Sequence, residues 1–132
     1  MASYFQGSRI FANFYSKRVR QWFEQVWDTL PREDRRQLER ALVNITDYMW
    51  LSGKGVALYD PTYRTIQVRG SELEKLDENL VKHMIAWTFA HALWTQPGIY
   101  ELDKETDGEA AAQAESWGFP RPTALVDEAR KN

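Results

Sequence analysis

The stretch from Asp77 to Trp94 constrains this chain most. Leu80, Val81, Met84, Ile85, Ala86, Phe89, Ala92 and Leu93 follow a helical period, yet together they cover most of the helix circumference. A helix that is apolar nearly all round has no face to offer water. It predicts a central, buried helix with the other elements wrapped around it. Gln96-Pro97-Gly98 ends it.

The elements that would do the wrapping can be read on either side. From about Arg9 to Leu30, apolar residues recur at helical spacing: Phe11, Phe14, Tyr15, Val19, Trp22, Phe23, Val26, Trp27 and Leu30. This predicts an amphipathic helix with a heavily aromatic face. Pro31, followed by Glu33 and Asp34 near a positive helix end, starts a second helix over 32–51, with a stripe of Leu38, Leu42, Ile45 and Met49. After the loop Ser52-Gly53-Lys54-Gly55 the period changes. Val56–Tyr59 and Thr65–Val68 are short β-type runs joined by Asp60–Arg64, a hairpin or two neighbouring strands. Ser71 and Glu74 have capping-box spacing. Residues 100–109 are acidic and lack an apolar period, so they read as an exposed loop. Residues 108–117 predict a short alanine-rich helix ended by Gly118. Pro120 and Pro122 forbid regular structure locally, and 123–130 reads as a last helical turn or a frayed tail. The first eight residues look like a tag remnant or a disordered segment, which leaves 9–132 as one domain. The predicted class is α+β: two N-terminal helices, a small sheet or hairpin, a central helix and a short C-terminal helix.

Composition narrows the chemistry. The 132 residues include no cysteine, so a thiolate metal site, a cysteine nucleophile and a disulfide scaffold are all excluded. His83 and His91 are the two histidines. They lie eight residues apart, which on a straight helix means ~12 Å of rise and an offset of ~80°, too far to grip one metal ion. The net charge is −2. The first 50 residues hold 8 basic and 6 acidic side chains, including Lys17, Arg18, Arg20, Arg32, Arg35, Arg36 and Arg40. That balance argues against a nucleic-acid-binding face. No apolar run reaches the ~20 residues of a membrane span, and none forms the core of a secretory signal, so the expected location is the cytoplasm. Six tryptophans are many for a chain of this size. They serve either an aromatic core or a surface that binds something.

The central helix carries Ile85-Ala86-Trp87-Thr88-Phe89-Ala90-His91-Ala92-Leu93. It resembles the active-site helix of small zincin-type metallopeptidases. There, two histidines one turn apart hold zinc and a glutamate beside the first activates a water. His91 stands at the second histidine's position. Trp87 replaces the first histidine and Thr88 the glutamate. The run Tyr63–Val68 is similar to the substrate-side strand of that family. Glu109-Ala110-Ala111-Ala112-Gln113-Ala114-Glu115-Ser116-Trp117-Gly118-Phe119 resembles its second helix, where Glu109 would fill the third ligand's role.

The resemblance implies a zincin-like domain without its chemistry. A threonine hydroxyl has no pKa near neutrality and cannot serve as the base. No catalytic residue and no cofactor are therefore expected. His91 and Glu109, with Asp107 as a further candidate, would at most form a partial zinc set, the alternative being a residual zinc hydrolase. The expected function is a catalytically inactive protein- or peptide-binding module, a natural pseudo-enzyme or an engineered binder. Its partner would be a protein, a peptide or a second copy, with no nucleic acid and no membrane. Trp87, Phe89, Trp94, Trp22 and Trp27 are the expected binding residues. Bland readings stand beside each: a hydrogen-bonded core histidine at His91, core packing for the aromatic rings, and a dipole-favoured helix start at Glu109.

Overall fold

The computed structural model describes residues 2–47, 55–102 and 108–122. In chain order these form β1 (Ala2–Tyr4), β2 (Phe11–Asn13), α1 (Lys17–Thr29), α2 (Arg32–Ala41), β3 (Asn44–Thr46), β4 (Gly55–Asp60), β5 (Thr65–Val68), α3 (Gly70–Leu73), α4 (Glu78–Leu93), β6 (Gly98–Glu101) and α5 (Glu109–Ser116). The fold is α+β. Its sheet has the order β1-β2-β3-β5-β4-β6. The three strands β2, β3 and β5 run parallel, with Phe11 opposite Asn44 and Asn44 opposite Thr65. The remaining pairs are antiparallel.

The central helix lies where its composition requires. Val81, Met84, Ile85, Ala86, Phe89, Ala90 and Ala92 of α4 are all buried. The helix packs on α1, α2, α5 and β4. Fully burying a side chain such as Phe89 contributes about 1.5–3 kcal/mol, so this helix carries much of the core's stabilisation. Asp77 caps it, accepting the Asn79 N–H at 2.9 Å. Its Phe89 ring meets Phe23 edge-on at 5.8 Å and Trp27 at 5.9 Å, and Trp27 in turn meets Phe5 at 5.5 Å. Two indoles also tie helices together. Trp22 Nε1 donates to Glu78 at 3.1 Å, and Trp117 Nε1 donates to Asp34 at 2.9 Å. An amphipathic ring with one polar tip suits a core that must also be stapled at its rim.

Several expectations are corrected. The N-terminal segment is part of the fold: β1 pairs with β2, and Phe5 is fully buried. A helix from Arg9 does not form. Residues 11–13 are a strand, and α1 starts only after Ser16, whose hydroxyl accepts the Val19 N–H at 3.1 Å. The helical spacing of Phe11, Phe14 and Tyr15 came from strand alternation running into a cap. The second helix ends at Ala41, and Asn44–Thr46 form β3 instead. Val43, Ile45 and Thr46 are β-branched, and parallel partners on both sides satisfy this segment's backbone. The hairpin β4–β5 forms as expected. The Ser71–Glu74 box does not form, since the Glu74 carboxylate receives the Ser16 hydroxyl. Part of the expected acidic loop is β6. The expected features at 48–54, 103–107 and 123–130 lie outside the described residues. Among the described residues, no helix is long and apolar enough to cross a membrane.

The parallel strands meet at one buried carboxylate. Asp47 follows β3. Its Oδ2 accepts the N–H of Ser16 at 2.9 Å and of Tyr15 at 3.2 Å, and its Oδ1 accepts the N–H of Gly70 at 2.8 Å. One side chain thereby fixes how the chain leaves β2, β3 and β5.

Candidate functional site

Helix α4 carries the positions singled out by the family resemblance. Trp87 and His91 are one turn apart on one face. The indole packs on the imidazole, ring centroids 4.2 Å apart, and Tyr100 of β6 meets the other part of the indole edge-on at 5.1 Å. Trp87 is 7% exposed, so the ring fills this space rather than opening it. Thr88 is fully buried, and its hydroxyl donates to the Met84 carbonyl at 2.8 Å. Such a bond to the preceding turn is the ordinary state of a helical threonine. It leaves the hydroxyl no role toward solvent or substrate.

His91 is half-buried at the end of α4. Its Nδ1–H donates to the Gln96 carbonyl at 3.3 Å, and burial holds its pKa below the ordinary histidine value, an effect the Gln96 bond partly opposes. The chain reverses at Thr95, in the left-handed region at φ 53°. It then presses Gly98 against the imidazole: a Cβ at residue 98 would stand 2.7 Å from His91 Nδ1. Only glycine admits so close an approach.

His83 is the more deeply buried histidine. Its Nδ1–H donates to the Phe119 carbonyl at 2.9 Å, while Nε2 is buried without a hydrogen-bond partner among the described residues. Desolvation lowers its pKa and Arg121 adds to this. The Phe119 bond and Glu115 act in the opposite direction. Tyr100 lies edge-on to it at 6.0 Å.

The zinc implied by the resemblance does not fit these residues. A catalytic zinc takes three protein ligands and a water. Here an indole occupies the first histidine's position. Glu109 is exposed in the first turn of α5, with no hydrogen bond or ion pair to His91. Among the described residues, no group of three or more metal-ligating side chains converges. Asp107 lies outside them.

The expected binding residues are also corrected. Trp22, Trp27 and Phe89 are core side chains, as is Trp87. Trp94 alone of the set is half-buried, packed against the edge of that core. Among the described residues, the exposed large apolar ones are others: Tyr4, Phe11, Tyr15, Val43, Tyr63 and Ile99. Compared with family models, curated proteins and solved structures, the chain matches none.

Proposed function

We propose that this chain is a catalytically inactive, metallopeptidase-like domain that works as a protein- or peptide-binding module in the cytoplasm. The observation that carries this reading is the Trp87 indole packed between His91 and Tyr100, where a hydrolase of this pattern needs an open metal position. The committed hydroxyl of Thr88 supports it. What remains for recognition is the rim of this region. There Trp94 is half-buried at the end of α4, and Ile99 on β6 is 52% exposed. A strand at the end of a sheet with an exposed apolar side chain suits an extended peptide.

The test is peptide selection on the purified chain, with zinc uptake measured in parallel. Selected peptides are expected to lose at least about tenfold in affinity on Trp94→Ala or Ile99→Asp, roughly 1.4 kcal/mol. Peptides indifferent to both changes would overturn the reading. So would one equivalent of zinc held through His91 and Glu109 together with amide hydrolysis.

A further inference from the structure

A second surface, away from Trp94 and Ile99, gathers arginines. The β1–β2 turn faces helix α2 across two adjoining hollows of about 320 and 290 Å³. Arg9, Arg36 and Arg40 line the first, Arg32, Arg35 and Arg36 the second, and Arg36 and Glu39 are shared. Arg32, Arg36 and Arg40 are spaced four apart, so one stripe of α2 presents all three guanidiniums. The chain-wide charge of −2 conceals this segregation.

Among the described residues, one carboxylate against five guanidiniums offsets the cluster only in part. None of these five guanidiniums makes an ion pair or side-chain hydrogen bond there. Glu39 is the one carboxylate lining the hollows, and its Oε1 accepts the backbone N–H of Arg9 at 3.1 Å. The nearby Asp28 carboxylate is engaged by the Gln6 side chain at 3.0 Å. Like charges one turn apart on a helix repel, so the stripe is unfavourable unless something else sits against it.

We propose that this groove is a binding site for an oligophosphate, a small ligand carrying two or more phosphate groups, one in each hollow. Donor density selects phosphate. Each guanidinium offers five N–H donors in a rigid fork. A carboxylate brings two oxygens and one charge, whereas a phosphate group brings three oxygens and up to two charges. Concavity selects a small ligand over a long polyanion: each hollow has the size of a small-molecule site, and the chain as a whole is acidic. This site is independent of the peptide-binding reading and shares no residue with it.

The experiment is calorimetric titration of the whole chain with inorganic tripolyphosphate at physiological ionic strength. Orthophosphate, a single-stranded DNA oligonucleotide and a polyglutamate peptide serve as comparison probes. Trp27 lines the second hollow and gives an independent fluorescence signal. Tripolyphosphate is expected to bind one to one and more tightly than orthophosphate. Arg36→Ala should weaken it about tenfold or more, and Arg36→Lys less, since the charge stays while the fork is lost. Lys17→Ala with Arg18→Ala removes two charges, twice as many as Arg36→Ala, from exposed positions outside the groove, and should change affinity less than about twofold. The proposal fails if tripolyphosphate gives no saturable binding. It fails equally if the control pair weakens binding as much as Arg36→Ala does, or if the oligonucleotide or polyglutamate binds more tightly than tripolyphosphate. Arg36 is exposed, so its variants keep the fold, and far-ultraviolet circular dichroism verifies this.

Discussion

The carboxylate of Asp47 occupies the space that a Cβ on residue 70 would need, and its Oδ1 accepts the Gly70 N–H at 2.8 Å. Gly70→Ala therefore has to push Asp47 away, and with it the acceptor for Tyr15 and Ser16. The expected loss is about 2–4 kcal/mol in urea unfolding, the scale of buried donors left unpaired. Asp47→Ala should cost a similar amount. Asp47→Asn, which keeps one oxygen, should cost less. A Gly70→Ala protein as stable as the parent would refute this junction.

The buried histidines make stability sensitive to acid. Both His83 and His91 have folded-state pKa values below the ordinary one, chiefly through desolvation. Below about pH 6.5 the unfolded chain then binds more protons than the folded one. Stability is complete above that pH and falls as acid is added through the lowered values. For His83 the reason is local: protonation would place an N–H on Nε2, which is buried and has no acceptor among the described residues. His83→Gln should flatten the decline in Tm between roughly pH 7 and 5. Unchanged slopes would show that His83 is not responsible.

Installing a metallopeptidase pattern should damage the fold before it creates a site. Thr88 is fully buried, so Thr88→Glu sets a carboxylate among apolar neighbours, an expected cost of several kcal/mol. Thr88→Val removes a hydroxyl bonded only to the preceding turn and should change stability by less than about 1.5 kcal/mol. Trp87→Ala empties the space between His91 and Tyr100, a loss of about 3–5 kcal/mol. Chemical denaturation of the three variants gives the ranking. A stable Thr88→Glu protein would mean that position 88 opens to solvent.

Gly98 and His91 should be energetically coupled. Gly98→Ala displaces the imidazole and breaks its bond to Gln96, for an expected cost of about 1–3 kcal/mol. In a His91→Ala background the added methyl meets empty space, and the cost should largely vanish. A double-mutant cycle measures the difference, and strict additivity would show that Gly98 and His91 do not press on one another.

Much of the architecture was legible because it depends on local pattern. Helix α4 declared itself through the breadth of its apolar surface, α5 through its alanines and Gly118, and the β4–β5 hairpin through its turn residues. What escaped were the three-residue strands, too short for a period to show, and β6, which runs from Gly98 into the acidic stretch. Phe11–Asn13 and Asn44–Thr46 exist as strands because each has a partner more than twenty residues away. The candidate site was legible as positions on a helix, but the role of its aromatic rings was not. A tryptophan at helical spacing reads the same whether it faces a groove or, like Trp22 and Trp27, the core. The arginine groove was hidden by counting charges along the chain, since Glu33 and Asp34 offset in number what they do not meet in space. Asp47 gave one faint signal: a lone acid among the apolar and β-branched residues that follow Leu42.

The side-by-side strands β2, β3 and β5 have a consequence for how the molecule comes into being. Ala12 reaches Ile45 and Ile45 reaches Ile66 only after long excursions of chain have closed. The parallel pairs β2–β3 and β3–β5 therefore have no local route to assembly, unlike the β4–β5 hairpin. Helices α1 and α2 rest on local backbone bonds and can organise first, and pulse-labelled amide exchange during refolding should find their backbones protected before that of Ile45.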